Sequence, residues 1–307
     1  MDFVIYILSI WAVIGGANFI VINSELISMR FSFSKFLIGA FLIAFGSSMP
    51  EIVNSIMANL HGRSSIAISN LIGSSIFNFA VLIPIIILIS KENPLDRTSI
   101  KDISWLFLVT SIFVVIILDA NIGLGESIFL IFIIFIYILS TLEEKISLFE
   151  EELFIDNGFN IFKSIFLIFI GFILLIIGSY FAIESAISIA NSFNLSDWRV
   201  GLLLIAISTS LPKLAIALSI VFKNRSKVAV TNIFYSTISN LTIGIGLSGI
   251  IRDISILEGN IFDILTLLLL VVVFLVLISN RVYTKSLSFI FLGLYTLFLF
   301  RHLSLCS

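Results

Sequence analysis

Cysteine is nearly absent from these 307 residues: the lone Cys306, next to last, leaves no disulfide framework and no thiolate metal cluster. Charge is scarce too. Asp, Glu, Lys and Arg make up 12% of the chain, against roughly a quarter in soluble domains. The net charge is −2 and no basic stretch stands out, so a nucleic-acid partner is not expected. Histidine occurs twice and proline four times. No nucleophile–base pair and no cluster of metal-ligating side chains is visible, so neither an enzyme nor a bound cofactor is expected. What the chain has in excess is apolar: 59% of its residues, with a mean hydropathy of +1.21. A globule of this length cannot hide that much apolar surface, so its outside must face lipid, where only helices or a closed barrel satisfy the backbone. Barrel strands would alternate over about 10 residues. Here the apolar runs are unbroken over roughly 18–25 residues, the length of a helix crossing about 30 Å of hydrocarbon.

Ten such runs can be placed, at about 3–29, 35–60, 65–90, 103–119, 124–142, 161–191, 198–222, 228–250, 260–279 and 285–301. Met1-Asp2-Phe3 leads straight into the first, without the basic start and small-residue cleavage site of a signal peptide, so it reads as a span. The longest connection, 143–160, carries Glu143, Glu144, Lys145, Glu150, Glu151, Glu152 and Asp156 and reads as an acidic solvated linker between residues 1–142 and 161–307. With the N-terminus outside, the cytoplasmic loops hold twelve lysines and arginines and the outer loops four. That bias places both termini outside a cell (inner) membrane and the linker in the cytoplasm.

The two halves repeat one another. Residues 46–78 (GSSMPEIVNSIMANLHGRSSIAISNLIGSSIFN) and 208–240 (STSLPKLAIALSIVFKNRSKVAVTNIFYSTISN) align without gaps at an offset of 162. The offset pairs Ser48 with Ser210, Pro50 with Pro212, Asn70 with Asn232, Ser74 with Ser236 and Asn78 with Asn240; Gly39 and Gly201 fall in step upstream. Five spans per half is an odd number, so the second copy enters the membrane from the opposite face. The expected fold is therefore all-α integral membrane, ten transmembrane helices in two inverted five-helix repeats, with the site at mid-membrane between the copies.

Within the repeats, Pro50 and Pro212 each remove an amide donor from a span and free the carbonyl four residues back, at Gly46 and Ser208. A freed carbonyl in lipid needs a partner, and a cation or water supplies one. Ser47, Ser48, Thr209 and Ser210 add hydroxyls on the same turns. Asn70, Ser74 and Asn78, with Ser75 beside them, line one face of the third span; Asn232, Ser236 and Asn240, with Thr237, repeat the stripe in the eighth. Close helix packing by small residues would explain the serines and glycines, but not the prolines or the central charges. Those charges are Glu51 and Lys213, at equivalent positions. A charge at the bilayer centre costs about 2.5–3.5 kcal/mol or more, so such residues pair or serve a function. Inverted symmetry brings both to the midplane, and a Glu51–Lys213 ion pair is expected.

GSSMPE followed by SNLIGSSIFN resembles the first signature repeat of the sodium/calcium exchanger (calcium:cation antiporter) family, G-T-S-x-P-E then G-N-x-x-G-S-N-x-x-N. STSLPK and TNIFYSTISN resemble the second in degraded form. The resemblance implies an ion antiporter of the prokaryotic ten-helix type. It implies that Glu51 corresponds to one of two central calcium-binding glutamates, with Asn78 as a further metal-site residue. Ser47, Ser48, Ser74, Thr209, Ser210 and Ser236 would correspond to sodium- and calcium-site oxygens. The departures lie in the second repeat, where Lys213 stands for the second glutamate, Asn240 for a frequent carboxylate, Tyr235 for a packing glycine and Ser208 for the opening glycine. A calcium site wants several carboxylate oxygens, whereas these central charges sum to zero. Three readings follow: an antiporter with altered coupling, carrying a monovalent cation or protons; an ordinary sodium (or proton)/calcium exchanger with Lys213 swung away; and a non-transporting membrane relative. The transported ions lie among sodium, calcium and protons, and the partners are the lipid bilayer and inorganic cations.

The remaining polar residues of the spans read as follows. Glu25 lies near the cytoplasmic end of the first span. Glu184, whose repeat partner is Ile22, is either solvated, otherwise paired or a neutraliser of Lys213. His61 and His302 sit at span ends and read as interfacial, and the phenylalanines as lipid-facing bulk.

Overall fold

A computed structural model describes residues 1–30, 48–91, 94–95, 97–149, 160–193, 195–222, 224–257 and 260–304. The described residues are almost entirely helical. The first half comprises α1 (Asp2–Arg30), α2 (Met49–Leu60), α3 (Ser64–Phe77), a π-helical turn (Asn78–Leu82), α4 (Ile83–Ile89), α5 (Arg97–Ile116) and α6 (Leu124–Phe149). The second comprises α7 (Ile161–Ser192), the short α8 (Asp197–Arg199), a π turn (Val200–Ile205), α9 (Ala206–Phe222), α10 (Ser226–Ser239), a π turn (Asn240–Gly244), α11 (Ile245–Ile251), α12 (Ile261–Ser279) and α13 (Lys285–Ser304). Among the described residues eight helical stretches are long and apolar enough to cross a membrane; Leu124–Ser140 is a shorter apolar one, and α2 ends the span whose earlier part lies outside the described residues.

The repeat seen in the sequence recurs in the backbone. Helix, π turn and helix succeed one another over Ser64–Ile89 and again over Ser226–Ile251, each π turn opening on an asparagine, Asn78 or Asn240. The equivalent long helices α1 and α7 pack antiparallel, as inverted copies must. Asp2 accepts a hydrogen bond from Ser188, Gly178 lies against Ser9 and Val13, and Gly16 against Gly171 and Leu175. Added at Gly16, a Cβ would sit 2.6 Å from the Gly171 carbonyl oxygen, so glycine is what lets these backbones touch.

Contacts between loops follow the parity of ten crossings. On one face Arg63 meets Asp197 (3.1 Å), Asn59 Nδ2 donates to the Ser248 and Arg252 carbonyls (2.7 Å each), and Asn121–Ile122 pairs antiparallel with Ile254–Ser255. Asp2 and His302 lie on this same face, called the terminal face below. On the opposite face Lys285 Nζ donates to the Leu88 and Ser90 carbonyls (3.0 and 2.8 Å). The spans Ser64–Ile89 and Ser226–Ile251 form the centre, 83% and 89% buried, whereas Ile161–Ser192 and Lys285–Leu303, at 22%, are peripheral. Phe79, Phe234 and Phe274 cluster in the interior, with Phe79 centroids 5.7 and 5.1 Å from the other two. Phe129, Phe132, Phe135, Phe162, Phe166 and Phe169 face outward, as bulk expected against lipid.

Three expectations change. α6 continues through Phe149, so the first residues of the acidic linker are helical, and 150–159 lie outside the described residues. α9 runs unbroken through Pro212; the irregular backbone of that span is instead the π turn just before it. Pro50 sits in the first turn of α2, where a missing N–H costs no helical bond, and the expected break at Gly46 and Ser47 lies outside the described residues.

Candidate functional site

At the centre of the bundle Lys213 Nζ lies 2.9 Å from Glu51 Oε1, with Glu51 fully buried and Lys213 9% exposed. The expected ion pair is formed, and it joins α2 of the first repeat to α9 of the second. The ammonium also donates to Ser236 Oγ at 2.6 Å. Because an ammonium can only donate, Ser236 must accept from it, which frees the Ser236 proton for Ser48 Oγ, 2.8 Å away. Ser48 Oγ in turn donates to the Ser236 carbonyl at 3.1 Å. Lysine, Ser236 and Ser48 thus form one polarised chain across the repeat boundary.

Around this chain the predicted oxygen ligands divide. Asn78 Nδ2 donates to Thr237 Oγ1 at 3.0 Å, a further bond between the repeats. Asn70 donates to the Glu51 carbonyl (3.0 Å) and to Ser55 Oγ (2.8 Å), and Ser55 donates to the Ala67 carbonyl (2.8 Å), so α2 is locked onto α3. Thr209 and Ser75 bond back to carbonyls of their own helices. Ser74 Oγ, Ser210 Oγ, Asn78 Oδ1, Glu51 Oε2 and both amide atoms of Asn240 are buried without a hydrogen-bond partner among the described residues. Buried polar atoms without partners are rare and expensive, and several of the oxygens the repeat predicted are among them. Ser47 lies outside the described residues.

Beside the pair is a cavity of about 50 Å3, floored by Pro50, Lys213 and Ser236 and walled by Ala17 and Asn18 of α1, Ile216 and Ala217 of α9 and Asn232 of α10. Ile216 lies beyond Lys213 along α9 and Asn232 precedes Ser236 along α10, so the cavity extends toward the face opposite the termini, the linker face. Asn232 does not repeat the lock of Asn70: where Asn70 finds Ser55, Asn232 has Ala217, which carries no hydroxyl.

Of the alternatives for Glu184 the structure takes the solvated and otherwise paired one, not the neutraliser of Lys213: it is half exposed, 3.8 Å from His61 Nε2. The expectation for His302 is corrected. His302 is not interfacial but buried, 3.0 Å from Asp263 Oδ1, whose other oxygen accepts from Trp198 Nε1 at 2.7 Å. The side chain of Glu25 lies outside the description. Sequence reasoning passed over Asn54, Ser55 and Asn59. Their signal was the spacing from Glu51, three, four and eight residues on, which puts them near its face of α2.

A lipid-facing bundle of inverted repeats, with buried charges and unpaired oxygens where the copies meet, defines a secondary ion transporter. The model of the sodium/calcium exchanger protein family matches residues 1–142 and 163–303. The chain belongs to this family of membrane antiporters, whose members are transporters and not enzymes. Among its relatives are the inner membrane protein YrbG of Escherichia coli (27% identical over 260 residues, 80% of this chain and 78% of that one) and the putative antiporter CaxA of Alkalimonas amylolytica (28% over 252 residues, 80% and 78%). The sodium/calcium exchanger MaX1 of Methanosarcina acetivorans is 24% identical over 306 residues (85% and 86%). The solved structure of the sodium-calcium exchanger NCX_Mj shares the fold, with a TM-score of 0.66 at 24% identity over 97% of this chain and 98% of that one.

Proposed function

We propose that this antiporter works with altered coupling: Lys213 serves as a built-in cation, and the ion exchanged at Glu51 is a monovalent cation or a proton. The observation that carries this is the position of Lys213 Nζ, 2.9 Å from Glu51 and 2.6 Å from Ser236. An ammonium there occupies the space and cancels the charge that would draw in a cation. Repulsion between unit charges 4 Å apart is on the order of 4 kcal/mol at an effective dielectric of 20, and a divalent ion doubles it. A cation reaching Glu51 therefore displaces the ammonium or its proton, which is exchange chemistry in itself. Glu51, Ser48, Ser74, Asn78, Thr209, Ser210, Ser236 and Asn240 supply the remaining oxygens, on the scaffold of residues 1–142 and 161–307.

A second reading, ordinary sodium/calcium exchange, draws support from the similarity to the sodium/calcium exchanger MaX1 and from the cavity beside Lys213, which gives the side chain room to swing aside. Twelve of the lysines and arginines fall in loops of the linker face, which supports a cytoplasmic linker and outside termini in a cell (inner) membrane.

Tracer uptake into proteoliposomes decides between the readings. Wild type is expected to exchange sodium for protons or sodium and to take up no calcium, while Lys213→Glu gains calcium uptake. Sodium-driven calcium uptake by wild type would overturn the proposal in favour of ordinary exchange. Absence of any cation or proton flux would leave the non-transporting reading.

A further inference from the structure

The internal repeat accounts for the central site but not for a pair of residues on the terminal face. The offset of 162 maps His61 onto Lys223 and Glu184 onto Ile22, so neither has a like counterpart in the other copy. The fold nevertheless brings the two together across the repeat boundary, with His61 Nε2 3.8 Å from Glu184 Oε1. His61 caps the C-terminal end of α2, and Gly62, at φ +74°, turns the chain toward Arg63. Glu184 stands on α7 one turn beyond Tyr180, whose ring centroid is 5.1 Å from that of His61. One face of α7 therefore both packs against the imidazole and carries the carboxylate.

The imidazole is also fixed from its other side. Its Nδ1 lies 2.7 Å from the Met57 carbonyl oxygen. A carbonyl can only accept, so Nδ1 carries the proton, and in the neutral ring Nε2 presents a bare lone pair. That lone pair faces a carboxylate oxygen, itself an acceptor, at a distance too long for a hydrogen bond. Two electron-rich atoms turned toward each other call for a cation between them. Arg63 does not supply it, being held by Asp197 at 3.1 Å, and among the described residues no lysine or arginine pairs with Glu184. A histidine that donates Nδ1–H to a backbone carbonyl and offers Nε2 beside a carboxylate has the arrangement of a metal ligand with its outer-shell partner already in place.

We infer that His61 and Glu184 form a surface site for a divalent transition-metal cation of the zinc type, bound by one nitrogen, one carboxylate oxygen and water. Ligand atoms about 2.1 Å from a tetrahedral zinc stand about 3.4 Å apart, so closing the present gap takes about 0.4 Å, within the reach of a half-exposed glutamate. Imidazole suits zinc, nickel or cobalt, whereas calcium and magnesium take oxygen ligands. The site thus differs in chemistry from the central one, where the predicted ligands are oxygens. A bound metal ties α2 of the first repeat, the helix that carries Glu51, to α7 of the second. The site serves no step of the exchange proposed for Lys213 and does not depend on which cation is carried.

The test is the melting temperature of the purified protein in detergent micelles as zinc chloride is added, in a Cys306→Ser background so that the lone thiol takes no part. A ligand that binds the folded state alone raises the melting temperature, and zinc should raise it in this parent. His61→Ala and Glu184→Gln should each need at least about tenfold more zinc for the same rise, the loss seen when even an outer-shell partner is removed. Glu184→His, which puts a second imidazole nitrogen at the site, should need no more zinc than the parent, and it reads the site if a neutral variant folds poorly. Any rise with calcium chloride should be the same in parent and variants. No rise with zinc in the parent would overturn the inference and leave a plain imidazole–carboxylate contact. An equal rise in the parent, His61→Ala and Glu184→Gln would overturn it too, by placing the zinc elsewhere on the protein. The readout needs no ion flux, so its failure is distinct from failure of the coupling proposal.

Discussion

Glu51 and Lys213 each make the other tolerable. Neutralising one leaves the other as an uncompensated charge at mid-membrane, so Glu51→Gln and Lys213→Met are each expected to cost about 3–5 kcal/mol. The double variant should recover most of that, because a buried pair replaced by neutral groups of similar volume is often no less stable. Chemical unfolding in detergent micelles checks this, and additive single costs would show that the two charges do not interact. The same logic applies to Asp263, which holds Trp198 from the start of the seventh span and His302 from the end of the last. Asp263→Leu removes the acceptor that Trp198 Nε1 and His302 Nε2 share and should destabilise by about 2–4 kcal/mol, read in the same unfolding experiment. The first pair was legible in the sequence, because both charges stand at the same position of a repeat. The second was not: Trp198, Asp263 and His302 share no repeat position, and only the folded bundle brings them together.

Among the helices, what was legible is where each runs, and what was hidden is how each is wound. Apolar run length sets the span boundaries, and α7, α12 and α13, with the continuous helical stretches Asp197–Phe222 and Ser226–Ile251, begin and end within a few residues of the expected limits. The π turns at Asn78 and Asn240 left no trace in hydropathy, since one extra residue per turn does not alter an unbroken apolar run. They matter because they sit just where the polar stripes end, and π turns recur at functional sites. The approach of α1 to α7 rests on glycine. A side chain at Gly16 meets backbone, not a movable side chain. Gly16→Leu is therefore expected to pry the helices apart, at a cost of about 1–3 kcal/mol, and to reduce ion flux. Full flux with an unchanged melting temperature would mean that this contact is dispensable.

For the molecule as a whole, the contacts between loops described above join ends that ten crossings place on one face. Tags fused to the two termini should consequently be reached by antibody from the same side, and a tag inserted in the acidic linker from the other. Lysine and arginine counts add which side is which: the terminal tags should be accessible on intact cells. Labelling of the linker on intact cells, with the termini protected, would invert the orientation while leaving the fold untouched.

The helical membrane class, the repeat, the family and the central ion pair were all determined by the sequence alone, because each depends on local composition or on residues repeating at one constant offset. Only the tertiary structure decided that the copies pack unequally, with a cavity beside Ile216 while Asn54, its counterpart in the other copy, is fully buried. Inverted copies of similar sequence can exchange these two packings, and the balance between them is a difference of a few kcal/mol summed over the whole helix interface. No pattern along one chain reports such a difference, and it is fixed only when α1 and α7 take up their positions against the two halves of the site.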